Sequence, residues 1–172
     1  MLGLSALGAF HTAVSVAAVA AGIWALARDR EILLSRPAGR ISLAATALTA
    51  VTALMIFRHG GFRIGHQFAV GTLIVLALGA LAGTGRLFGR ASRYVQAFFY
   101  SSTLLIHAIT GSAETLTRLP PEAPLVTPAN AFVFKDIIAG LVVAFLVGIA
   151  LQFRWLRRQE RAAPGAGAGR AD

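Results

Sequence analysis

The sequence predicts an all-α integral membrane protein: a bundle of five transmembrane helices, amino terminus outside and carboxyl terminus in the cytoplasm. Three observations carry that expectation. Apolar residues make up 56% of the 172 positions and charged residues only 13%, about half the charged share of a soluble domain. The apolar residues fall into five runs separated by short polar segments. The basic residues, nearly all arginine, cluster between those runs. A formal charge of +9 distributed in this way orients a membrane protein and is not a nucleic-acid footprint. The absence of cysteine excludes a disulfide-stapled module and any thiolate metal or redox centre. A mean hydropathy of +0.71 excludes a disordered chain.

The first run extends from about Leu4 to Ala27 and meets its first charge at Arg28. The second, Ile41 to Phe57, is short but uncharged. The third covers Ile64 to Gly85, the fourth Tyr94 to Gly111 and the fifth Phe132 to Phe153. A hydrocarbon core of about 30 Å needs roughly 20 helical residues, with about 17 as a lower limit, so each run is long enough. The alternating pattern of a membrane barrel is missing, which leaves helices as the spanning structure. The fifth run opens with Lys135-Asp136, placed at the membrane surface, so that Ile137 to Phe153 is the apolar stretch. The bundle therefore occupies residues 1–155, and the Arg-, Ala- and Gly-rich residues 156–172 are expected as a disordered cytoplasmic tail.

Twelve basic residues fall on the side of the first and third loops and the carboxyl flank, and four on the other. The positive-inside bias sets the orientation stated above. Ala18-Val19-Ala20 offers a signal-peptidase-like cleavage pattern, and cleavage would remove His11 and leave four helices. The missing basic n-region and the length of the run argue for a retained span. The expected location is the inner (plasma) membrane, with lipid and no nucleic acid as its surroundings. The clustered inner arginines are expected to touch anionic lipid.

This topology brings all four histidines toward the outer face. His11 lies just below the outer end of the first span, His59 and His66 flank the second loop, and His107 lies near the outer end of the fourth. At 1.5 Å per residue, His11 and His107 share a depth of about 5–10 Å below the interface. Gln96, Tyr100, Thr103, Thr110 and Glu114 share the face of His107, a polar stripe that lipid would not tolerate. Gly8, Ser15, Ala18 and Gly22 share the face of His11 and permit close helix approach. Thr49, Thr52 and Met55 lead toward His59 on the second span. Gly79 and Gly83 form a small-residue pair suited to a close helix crossing.

Several chemistries fit these residues. A b-type haem would take His11 and His107 as axial ligands from separate helices, with Arg58, Arg63 or Lys135 near the propionates. A transition-metal site would use His11, His66 and His107 with Glu114, and suits zinc, or copper if Met55 is near. A proton relay would pair Glu114 with His107. The structural alternative gives the histidines interhelical hydrogen bonds, makes His66 an anchor for its helix start and leaves His59 in a solvated loop. Phosphate-loop, nucleophile-elbow and His-Glu-x-x-His motifs are absent from the sequence. The inner half holds no histidine, so at most one haem fits.

The stretches RHGGFRIGHQFAVGTL and LIHAITGSAETLTRLPPEAPL, with AFHTAV before them, resemble a family of small multi-pass bacterial membrane proteins known as a domain of unknown function. The resemblance spans roughly Gly3 to Leu125 and implies an inner-membrane helical bundle without supplying an activity. The functional expectation is an outer-side histidine cluster that binds haem or a transition metal for redox or metal handling, with a redox partner or a membrane complex around it. The rivals are a non-catalytic scaffold or assembly subunit and a small transporter. The balance leans away from an enzyme.

Overall fold

The computed structural model describes residues 5–56 and 61–162. Five α-helices follow one another: α1 (Ala6–Asp29), α2 (Pro37–Leu54), α3 (Ile64–Gly83), α4 (Ser92–Leu116) and α5 (Ala131–Ala162). Short 3-10 turns, Gly89–Ala91 and Pro128–Asn130, precede α4 and α5. The described residues contain no strand. Three helices, α1, α3 and α5, are long and apolar enough to cross a membrane. The other two fall short for different reasons. Arg40 takes up the first turn of the 18-residue α2, and the polar stripe lowers the hydropathy of α4.

The helix ends follow local chemistry. Ser5 Oγ accepts a hydrogen bond from the Gly8 N–H at 3.1 Å and starts α1. Arg30, in the left-handed region with φ 62°, ends it by donating its N–H to the Leu26 carbonyl. Pro37 occupies the first turn of α2, where its missing N–H costs nothing. The α5 helix runs on to Ala162 and buries Leu156. Residues 156–162, expected as tail, are therefore helical because Leu156 has an apolar seat to fill. The remaining tail residues, 163–172, lie outside the described residues, as do Arg58 and His59.

Packing is inverted relative to a water-soluble protein. Much of the interior is lined by small or polar groups, Ala18, Ala25, Ala50, Ala69, Ala82 and Ala97 with Ser42, Thr46 and Thr103, around a cluster of larger side chains that includes Ile32, Leu43 and Tyr100. Large apolar side chains point outward, among them Ile23 and Trp24 on α1, Leu48 on α2, Ile74 on α3 and Leu146 on α5. Exposed apolar surface on every helix suits acyl chains and would be a liability in water. In lipid, where no hydrophobic effect draws helices together, close approach and hydrogen bonds are what hold such a bundle.

Successive helices pack antiparallel. Ser42 on α2 donates to the Ala18 carbonyl on α1 at 2.9 Å. At Gly22 an added Cβ would stand 2.7 Å from Leu104 Cδ2 and 2.8 Å from Ser42 Oγ, so α1, α2 and α4 meet there at close range. Gly79 lies against the Tyr100 ring and Gly83 against the Gln96 amide, which makes the expected small-residue pair the α3–α4 crossing. The α5 helix rests mainly on α4. Its buried residues, Ile149, Gln152 and Leu156, all belong to its second half.

Candidate functional site

The polar interior is a seam between α1, α2 and α4. On α2, Ser42, Thr46, Thr49 and Thr52 are all buried. Their spacing of three and four residues puts them on one helix face over about 15 Å of rise. His107 enters this seam from α4. Its Nδ1 lies 3.0 Å from Ser15 Oγ on α1, and its Nε2 lies 3.1 Å from Thr46 Oγ1 on α2. One imidazole thus joins three helices. A neutral ring donates from one nitrogen and accepts at the other, and each hydroxyl can take the complementary role.

His11 occupies the next layer toward the start of α1, one turn from Ser15. Its Nδ1 lies 3.0 Å from Thr52 Oγ1, whose hydroxyl also lies within reach of the Leu48 and Thr49 carbonyls. Thr49 Oγ1, between the two layers, is buried with no hydrogen-bond partner among the described residues. His11 and His107 therefore enter the same seam, as their shared depth implies, and both bond to hydroxyls.

His66 and Glu114 go elsewhere. His66, buried at the start of α3, accepts the Arg63 N–H at its Nδ1 (3.2 Å) and packs against Phe62 with ring centroids 5.3 Å apart. It caps its own helix. Glu114 is exposed and pairs with Arg118 one turn on, at 2.7 Å. Among the described residues no three histidine or acidic side chains gather as a metal-binding group. The set His11, His66, His107 and Glu114 is thus not assembled: His66 takes the Arg63 N–H just before α3, and Glu114 pairs with Arg118 just after α4. Met55 is exposed at the end of α2.

A second polar cluster, at the opposite end of the bundle, was not evident from the sequence. Glu31, in the α1–α2 connection, is 3% exposed and receives Arg93 Nε at 3.1 Å and Nη2 at 2.5 Å. This hydrogen bonding raises the Arg93 guanidinium, at the head of α4, further above its ordinary value. The same guanidinium lies 5.5 Å from the Trp155 ring centroid. Gln152 donates its Nε2 to the Arg30 carbonyl at 2.7 Å and accepts Ser101 Oγ at 3.1 Å. Tyr94 donates to Glu160 at 2.7 Å. The available signal was Gln152 itself, a polar residue inside the run otherwise read as apolar.

No known protein family, curated protein or solved structure matches the chain.

Proposed function

We propose that this chain is a five-span protein of a bacterial inner membrane, amino terminus out, acting as a non-catalytic scaffold or assembly subunit. The observation that carries the reading is His107, whose two ring nitrogens meet hydroxyls from two other helices. An imidazole engaged at both nitrogens has no lone pair left over for a ligand, whereas it is well suited to fixing helices in lipid. His11 with Thr52 repeats the arrangement one layer outward. Residues that would supply chemistry at this level, His66 and Glu114, serve their own helices. For the shorter α2, the apolar residues after Arg40 and its place inside the bundle support a span.

A second reading, b-type haem for redox work, draws support from the entry of His11 and His107 into one seam from separate helices. Ligation would require both rings to exchange their hydroxyl partners for iron. One experiment separates the two. The detergent-purified chain is expected to be colourless, free of stoichiometric metal by elemental analysis, and destabilised by His107→Ala. A Soret band that shifts with dithionite and disappears in His107→Ala would replace the scaffold reading with the haem one.

A further inference from the structure

The α5 helix packs mainly on α4, with Phe145 against Phe98 and with Ile149, Gln152 and Leu156 buried, and it shares one long groove with α4 and α1. Between them runs a trough of about 570 Å³, floored by Leu26, Leu104, Phe145 and Ile149. Along α5 it extends from Leu141 to Trp155, about 21 Å of helical rise. One bilayer leaflet is about 15 Å deep, half of the ~30 Å core, so the trough matches a full acyl chain in length. Such a volume facing lipid does not stay empty, since its walls would forfeit their dispersion contacts.

The two ends of the trough differ. Leu141 and Ala144 line the far end, and Arg30, Gln152 and Trp155 line the near one. The Gln152 amide is spent on Arg30 and Ser101, and the nearby Arg93 is held by Glu31. The Arg30 guanidinium, in contrast, pairs with no carboxylate among the described residues. Arg28, Arg36 and Arg157 add positive charge at the same end of the bundle. An apolar channel that terminates at an uncompensated cation is complementary to one kind of molecule.

We propose that this trough is a binding site for an anionic glycerophospholipid, with one acyl chain between α4 and α5 and the phosphate against Arg30. A polybasic end near the cytoplasmic headgroups favours anionic over zwitterionic lipid. Gly148 lies in the trough wall, and an added Cβ there meets nothing within 4 Å. The trough can therefore be blocked without disturbing the protein around it.

The chain contains two tryptophans, so Trp24→Phe leaves Trp155 as the only indole reporter. The full chain in this background is reconstituted in vesicles that mix phosphatidylcholine with phosphatidylglycerol, one of the two brominated. Brominated phosphatidylglycerol is expected to quench Trp155 at about five-fold lower mole fraction than brominated phosphatidylcholine, the preference one arginine supplies. Arg30→Asn, which tolerates the left-handed backbone, should abolish the preference. Gly148→Leu should reduce quenching by either lipid, while Gly71→Leu, also in open space, should leave it unchanged. Equal quenching by the two lipids in the Trp24→Phe chain overturns the proposal without needing any further variant to fold. A disulfide-linked dimer formed through Ala144→Cys would overturn it too, by assigning the trough to a second copy.

Discussion

Ser15 Oγ and His107 Nδ1 lie 3.0 Å apart across 92 positions of sequence. The bond ties the first helix to the fourth, elements that share few other contacts. Because Thr46 holds the other nitrogen, a single side chain sets the mutual position of α1, α2 and α4. Replacing it tests the seam directly. His107→Leu is expected to cost roughly 1–3 kcal/mol, from two lost interhelical bonds and two hydroxyls left in a dry interior. A double-mutant cycle with Thr46→Val, read by reversible unfolding in mixed micelles, should give a coupling of about 0.6–1.7 kcal/mol. Zero coupling would mean that the bond does not hold the helices.

Level along the bundle was legible from the sequence, and direction around each helix only partly so. Hydropathy and alternating loops place His11 and His107 at one level, and the structure brings both into one seam. The small face of α1 was legible too, because Gly8, Ala18 and Gly22 repeat at helical spacing and all three are buried. Glu114 shows where that reasoning stops. Its level is right for His107, but Arg118 four residues away captures it, a local competitor that a shared-face argument does not weigh. Glu31 and Arg93 are 62 residues apart, and their pairing depends on which connections become neighbours. Periodicity along one helix carries no information about that.

The Glu31–Arg93 pair is lopsided, with side-chain exposures of 3% and 41%. Removing the buried partner leaves a guanidinium that water can still reach. Removing the exposed partner strands a carboxylate in the interior. Arg93→Ala should therefore destabilise more than Glu31→Gln. The expected cost is roughly 1–3 kcal/mol for the first, below the ~3–5 of a fully buried pair because Arg93 is partly solvated, and about 1 for the second. Combining both changes should recover part of the Arg93→Ala loss. The order of the two single variants in a thermal unfolding series is the decisive reading.

Topology can be measured without background, since the chain has no cysteine. Glu122→Cys, in the α4–α5 connection, should react with a membrane-impermeant maleimide in intact cells. Arg86→Cys, in the α3–α4 connection, should react only after the membrane is opened. The reversed pattern would put the histidine seam in the inner half of the bilayer, and the trough's basic end outside. It would also contradict the positive-inside bias of twelve against four basic residues.

The α3–α4 crossing offers the sharpest test of inverted packing, because two glycines of one helix differ only in what faces them. Gly71 has nothing within 4 Å of an added Cβ, whereas at Gly79 that atom would overlap the Tyr100 ring. Tyr100 is 1% exposed and sits in the core with Ala25, Ile32 and Leu43, so it cannot swing aside. Helix propensity favours alanine over glycine by about 0.5–1 kcal/mol at either position. Gly71→Ala should therefore stabilise the protein by roughly that amount. Gly79→Ala must force the ring or the helix to move, and overpacking of this kind costs about 1–3 kcal/mol. The two substitutions are chemically identical, so their difference reports contact alone. If both raise the midpoint of unfolding equally, α3 and α4 do not cross at Gly79, and α4 loses the neighbour that turns His107 toward Ser15 and Thr46.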